Sequence, residues 1–356
     1  MNPYLAVAGL VAASAAMFML PLIPALVEFK RHQDDQPLKV IQEHAGEIRF
    51  FSDGFRNYIN PLQAVLQECF ASGGNAKGML ADGAEYLVLG RGEDALTLPL
   101  RQQDETCSLM LATNADLVLP ADTTFSRDIY AGGGFIGGME NKYRAILGEK
   151  DVQLGHGSKV MRWVHAVGAF RAEECCDLYG RVSSDSSIRL RAGCTFLRLN
   201  APRIEAGSSE QTAAANTRRA REARTPSQSP RRLQDGDFVI GPDEEFTGDL
   251  VVRGKLRVGE GARVWGSVKS EKEMTIEDAV LVGGSLISAT TARIGANCAI
   301  YGPVIAEREL EIQAGTSCGS PEHPTTVSAP RIRIEEGVVV FGTLWAREKG
   351  QVVDRI

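Results

Sequence analysis

The sequence predicts an all-β chain built on a three-sided β-helix, a β-solenoid of about 18 residues per coil, with an N-terminal transmembrane helix and a short helical segment before it. Three observations predict this. Apolar residues recur with a period of 18, they alternate by two within each coil, and an uncharged run of 24 residues lies near the start. Composition agrees, because 44% apolar residues, only 6% aromatics and 37 glycines suit a narrow aliphatic core with many turns.

The uncharged run extends from Tyr4 to Val27. At about 1.5 Å per residue it makes about 36 Å of helix, enough to cross a hydrocarbon core of about 30 Å. Pro21 and Pro24 would kink it near its end, which a helix in lipid tolerates. A cleaved signal peptide is the alternative, but it needs a basic leader and a shorter apolar stretch, and Met1-Asn2-Pro3 offers only the terminal amine. Lys30 and Arg31 follow the run, so the positive-inside rule places the main part of a single-pass protein in the cytoplasm. Residues 36–71 read as a helical juxtamembrane segment, with Ile48, Phe51, Phe55 and Tyr58 at helical spacings and Pro61 as an interruption. Residues 85–116 alternate short strands with turns and are expected to cap the first coil.

The period is clearest over 236–350. Leu256, Met274, Ala292 and Leu310 form one column, and Val258, Ile276, Ile294 and Ile312 a second, both at intervals of 18. Val264, Val282, Ile300 and Cys318 form a third. The register reaches back to Phe238, Ile240, Phe246 and Leu250, and resumes at Ile332 and Ile334 after an excursion of four residues near Pro321 to Pro324. Glycine recurs at one corner (Gly248, Gly266, Gly284, Gly302, Gly342), with Ser320 the single departure. Alternation by two means strands with one face inward, and a shift every six residues means a corner. The same register marks a first block over 117–206. Val152, Phe170 and Ile188 form one of its columns, and Val160, Leu178 and Phe196 another. That gives about five coils and then about six. Between the blocks, 207–235 has no apolar periodicity and reads as a disordered basic insertion, with six arginines against three acids in Ser208–Asp235. It is either a solvated loop or a contact for anionic headgroups or an acidic partner.

Catalytic and metal-binding motifs are missing: there is no Walker loop, no GxSxG elbow, no HExxH helix and no CxxC pair. The expectation is therefore a protein that is not an enzyme and takes no cofactor or metal. A net charge of −6 gives no reason to expect nucleic acid. Gly132-Gly133-Gly134 resembles a phosphate loop in composition alone, and a corner is expected there. His156, at a corner, and His165, at an outward position, are the general-base candidates. Cys176, Cys194, Cys298 and Cys318 fall in inward columns and are expected as core. Glu173, Glu174 and Asp177 read as a solvated acidic edge, with a cation site left open.

The stretch 238–350 resembles the bactofilins, the polymer-forming cytoskeletal proteins of bacteria. The resemblance rests on Phe246-Thr247-Gly248-Asp249-Leu250, Val251-Val252-Arg253-Gly254, and Ile334-Glu335-Glu336-Gly337 followed by Val338-Val339-Val340-Phe341-Gly342. It implies a β-helical core that associates end to end without nucleotide, often at the inner membrane, and positions cell-envelope or morphogenesis proteins. Bactofilins are usually shorter, so the anchor and the extra repeat block depart from the pattern.

Physics points the same way, because a β-helix ends in an unpaired layer that must be capped or joined. The expected self-association face is the last coil: Ile332, Ile334, Val338, Val340 and Leu344 inward, Phe341 and Trp345 outside. In the alternative, the last seven residues fold over this end. The expected partners are thus the chain itself, the lipid bilayer and unidentified envelope proteins. The rival reading is a hexapeptide-repeat acyltransferase at the inner membrane. Ile294-Gly295 with Ile300 matches its loose pattern, yet no histidine lies within 238–311.

Overall fold

The computed structural model describes residues 49–97, 105–207 and 231–354, together with Ser14 and Met17. The chain divides into two compact units, 1–45 and 46–356. In the first unit, Ser14 and Met17 are helical and exposed; the rest of the expected span 4–27 lies outside the described residues. Among the described residues no helix is long and apolar enough to cross a membrane.

The second unit is mostly β, a solenoid of about 12 turns. Its coils stack in parallel at the expected interval: Leu256 pairs with Met274, Met274 with Ala292, and Ala292 with Leu310. In the first block Val152 pairs with Phe170, and Phe170 with Ile188. The inward columns form one continuous aliphatic core running through both blocks. Its members are drawn from alternate positions of each strand because successive side chains point to opposite faces.

Each described coil turns one corner through a left-handed residue. In the first block these are Glu105, Asp122, Glu140, Gly157, Cys175 and Gly193. In the second they are Asp243, Gly261, Ala279, Asn297, Gly315 and Gly337. The glycine column read from the sequence lies at another corner, where Gly248 and Gly342 have φ of 113° and 114° and the glycines between them are fixed by close stacking. A Cβ on Gly284 would lie 2.5 Å from the Gly266 carbonyl, and one on Gly302 would meet Gly284 at the same distance. At that corner the stacked backbones approach too closely for any side chain. Ser320 departs from the column because the chain there makes the four-residue excursion, closed by hydrogen bonds between Ser320 and His323.

Two boundaries differ from expectation. The strand Glu85–Leu89 pairs in parallel with Met110–Thr113, and Thr106–Cys107 with Thr124–Phe125. The segment 85–116 therefore supplies solenoid coil, and the outer cover is the antiparallel strand Ala76–Met79. Likewise Arg232–Gln234 is a strand on Leu250–Val252, so the second block begins inside the expected insertion. Residues 208–230 lie outside the described residues.

The helical segment is confirmed from Phe50 onward. Helix α1 (Phe50–Ile59) and helix α2 (Gln63–Ser72) are joined by a 3-10 turn at Pro61. They lie on the outer face of the first block. Phe55, Ile59, Leu62, Leu66 and Cys69 pack there against Met110, Ala112, Tyr130, Leu147 and Trp163, forming a second small core. Arg56 reinforces the contact through a bidentate pair with Glu149 at 2.8 and 3.0 Å.

Candidate functional site

The coil expected to be open is closed. The final strand, Val339–Val353, stacks in parallel on the second block and also pairs antiparallel with Thr195–Ala206, the last coil of the first block. Leu199 faces Leu344, Ile204 faces Val340, and Phe196 faces Gly350. Backbone bonds cross the seam on different sides of the coil: Gly193 N–H to Val352 O at 3.0 Å and Ala206 N–H to Val338 O at 3.0 Å. Gly350 is required there, since a Cβ would sit 2.1 Å from the Phe196 ring. The two blocks thus join last coil to last coil and run in opposite directions, as two solenoids related by a dyad would.

This corrects the proposed association face. Val338, Val340 and Leu344 are at most 1% exposed inside the seam. Ile332 and Ile334 lie one layer deeper, between Leu310 and Gly350 and between Ile312 and Val352 respectively. Phe341 and Trp345 do sit on the outside, but each lies under an arginine of the first block, Arg203 at 6.0 Å and Arg198 at 5.2 Å. The residues 350–353 fold over nothing; they complete the same last coil. The physical reasoning that such a layer needs a neighbour holds, and the neighbour is supplied by the chain itself.

The other end of the second block is different. Its first layer comprises Arg232–Gln234, Phe238–Ile240 and Glu245–Thr247, and each strand pairs on one side only among the described residues. Phe238 and Phe246 occupy inward columns yet are only half-buried, whereas Leu256 and Val264 above them are 1% and 0% exposed. Arg232 covers part of the gap, 4.9 Å from the Phe238 ring. Leu233 and Val239 are outward and exposed. Phe238 N–H donates to Lys255 O and Ile240 O accepts from Gly259 N–H, so the amide and carbonyl of Val239 between them face away from the block. That is an edge able to accept another strand.

The remaining chemical candidates resolve one by one. His156 lies exposed at its corner. His165 is outward by parity, as read, but helix α1 covers this face and leaves it 2% exposed. Its Nδ1 is 2.9 Å from Ser183 Oγ, and its Nε2 is 3.9 Å from Asp185 Oδ2. Burial pushes this imidazole below its ordinary value, against the pull of Asp185, so the neutral form is favoured. Cys176, Cys194, Cys298 and Cys318 are buried core, as expected. Burial pushes the Cys318 thiol up to about 12, which keeps it protonated. Glu173 and Glu174 both pair with Arg191, at 3.1 and 3.4 Å, and Asp177 pairs with Lys159 at 3.4 Å. Among the described residues no group of three or more His, Cys, Asp or Glu is placed to hold a metal ion.

The sequence reading missed the covered outer face. Its signal was present as lost alternation: Leu109-Met110-Leu111-Ala112 and Ala145-Ile146-Leu147 are apolar at both parities, the mark of strands buried on both sides. A scan against protein-family models, a search of curated proteins and a search of solved structures each find no match to the chain.

Proposed function

We propose that this chain is a bactofilin-like structural scaffold, held at a bacterial inner membrane by 4–27 with its main part cytoplasmic, that self-associates and positions cell-envelope or morphogenesis proteins. The observation that carries the reading is the unpaired first layer of the second block, with half-buried Phe238 and Phe246 where every deeper layer is closed. It keeps the principle of end-to-end association and moves the surface from the last coil to 232–247. At the far end of the first block the edge of Glu85–Leu89 is covered by Ala76–Met79, and the seam uses both last coils. Closure of this layer on a second copy through a two-fold axis gives a dimer.

Mass measurement on the detergent-solubilised full chain tests this. The wild type is expected at twice the chain mass. Val239→Pro removes an outward-facing amide without breaking a bond to the next layer, and Leu233→Glu adds a charge to the same edge. The double variant should run at the mass of one chain with its melting temperature nearly unchanged. A monomeric wild type, or a double variant that still pairs, overturns the assignment of this surface.

A further inference from the structure

A cleft of about 370 Å³ lies between helix α1 and the outer face of the first block. One wall is aromatic. Phe51 and Tyr58 line it, and Phe55 meets Trp163 edge to face at 5.7 Å. The other wall is cationic. Arg127, Arg144 and Arg162 come from three successive coils, because Ile129 pairs with Ile146 and Ala145 with Trp163. Their backbones are therefore spaced by about 4.8 Å per layer.

Few carboxylates answer this charge. Asp128 lies 3.4 Å from Arg144 Nε, and Asp82 accepts the Tyr58 hydroxyl at 2.8 Å. Arg127 and Arg162 lie within Coulombic reach of Asp128 but form no ion pair among the described residues. At the rim, the Arg181 guanidinium stacks on Phe51 at 5.2 Å and adds a fourth positive charge. Asp128 offsets one of these guanidinium charges, which leaves Arg127 and Arg162 with positive charge and donors free for an oxyanion. A planar, forked guanidinium suits an oxyanion, and the rings suit an apolar body.

We propose that this cleft binds a phosphate monoester carried on an apolar body, with Arg127 and Arg162 on the phosphate and Phe51, Phe55 and Trp163 around the body. The ester is either the headgroup of an anionic lipid or a soluble molecule. The site is separate from the open layer at 232–247 and does not depend on self-association.

The test is calorimetric titration of the full chain in phosphatidylcholine nanodiscs with n-hexyl phosphate, inorganic phosphate and n-hexanol. Hexyl phosphate should bind saturably and more tightly than either fragment. Arg127→Ser with Arg162→Ser should weaken it by roughly tenfold to a hundredfold for each charged hydrogen bond lost. Both arginines are exposed, so the melting temperature of the variant should not move. Phosphatidic acid added to the nanodiscs assigns the source: competition with hexyl phosphate makes the ligand a lipid headgroup, and no competition makes it a soluble ester. The proposal fails if hexyl phosphate binds no better than hexanol, or if the double variant binds it as the wild type does.

Discussion

The two blocks of the solenoid share a coil period and a left-handed corner, but they treat their outer faces differently. In the first block the face that includes Met110, Tyr130, Leu147 and Trp163 is covered by α1 and α2. The corresponding column of the second block reads Val251, Lys269, Ile287, Ile305 and Ser328, each at least partly exposed. The first block is thus buried on two sides, and the second depends on its inner columns and on the seam. An outer face is the variable part of such a rod, and covering it brings in cores, clefts and charge clusters that a bare coil lacks.

The seam is where this comparison can be broken most decisively. Val340 is 1% exposed and faces Ile204 across it, so Val340→Arg buries an unpaired charge. It should cost upwards of about 4 kcal/mol. Hydrogen exchange should then show protection falling in the last coils of both blocks together. Undisturbed protection at 195–206 would mean that the blocks are stabilised independently.

A smaller effect should distinguish the blocks by pH. His165, under α1, is held below its ordinary value of 6.5 by burial. Above that pH the folded and unfolded chains both carry a neutral ring, and the first block has its full stability. As the pH falls below about 6.5 the unfolded chain takes up the proton first, so stability declines until the lower folded value is reached. The melting temperature should drop over that window, and His165→Asn should flatten the profile. An unchanged pH dependence in the variant removes this distinction.

The smallest expected effect tests the shared corner. Ala279 and Cys175 carry φ of 57° and 61°, where a side chain is strained. Ala279→Gly and Cys175→Gly should each raise stability by about 1 kcal/mol, offset in part by the greater freedom of glycine in the unfolded chain. Equal gains in thermal melts would show one corner geometry in both blocks.

Legibility in the sequence follows the same division. The columns at Leu256, Val258 and Val264 were readable because one face alone is buried there, which leaves a clean alternation. The outer face of the first block hid its own function, since apolar residues at both parities look like ordinary strand. The left-handed column was invisible because Glu, Asp, Asn, Ala, Cys and Gly all occupy it. Arg232 and Gln234 stand where the columns carry Leu250 and Val252, so polarity concealed the first layer of the second block. The seam could not be read at all. Nothing in a one-dimensional repeat says that its last coil will find another coil 143 residues earlier, where Asn200 meets Thr343.

That inversion has a consequence for synthesis. The strand Thr195–Ala206 leaves the ribosome with its outer edge bare, and the strand that covers it emerges 143 residues later, the separation of Asn200 and Thr343. At about 5–20 residues per second the wait is roughly seven to thirty seconds. The nascent rod must protect that raw edge, or have it guarded, before its own tail comes home to close it.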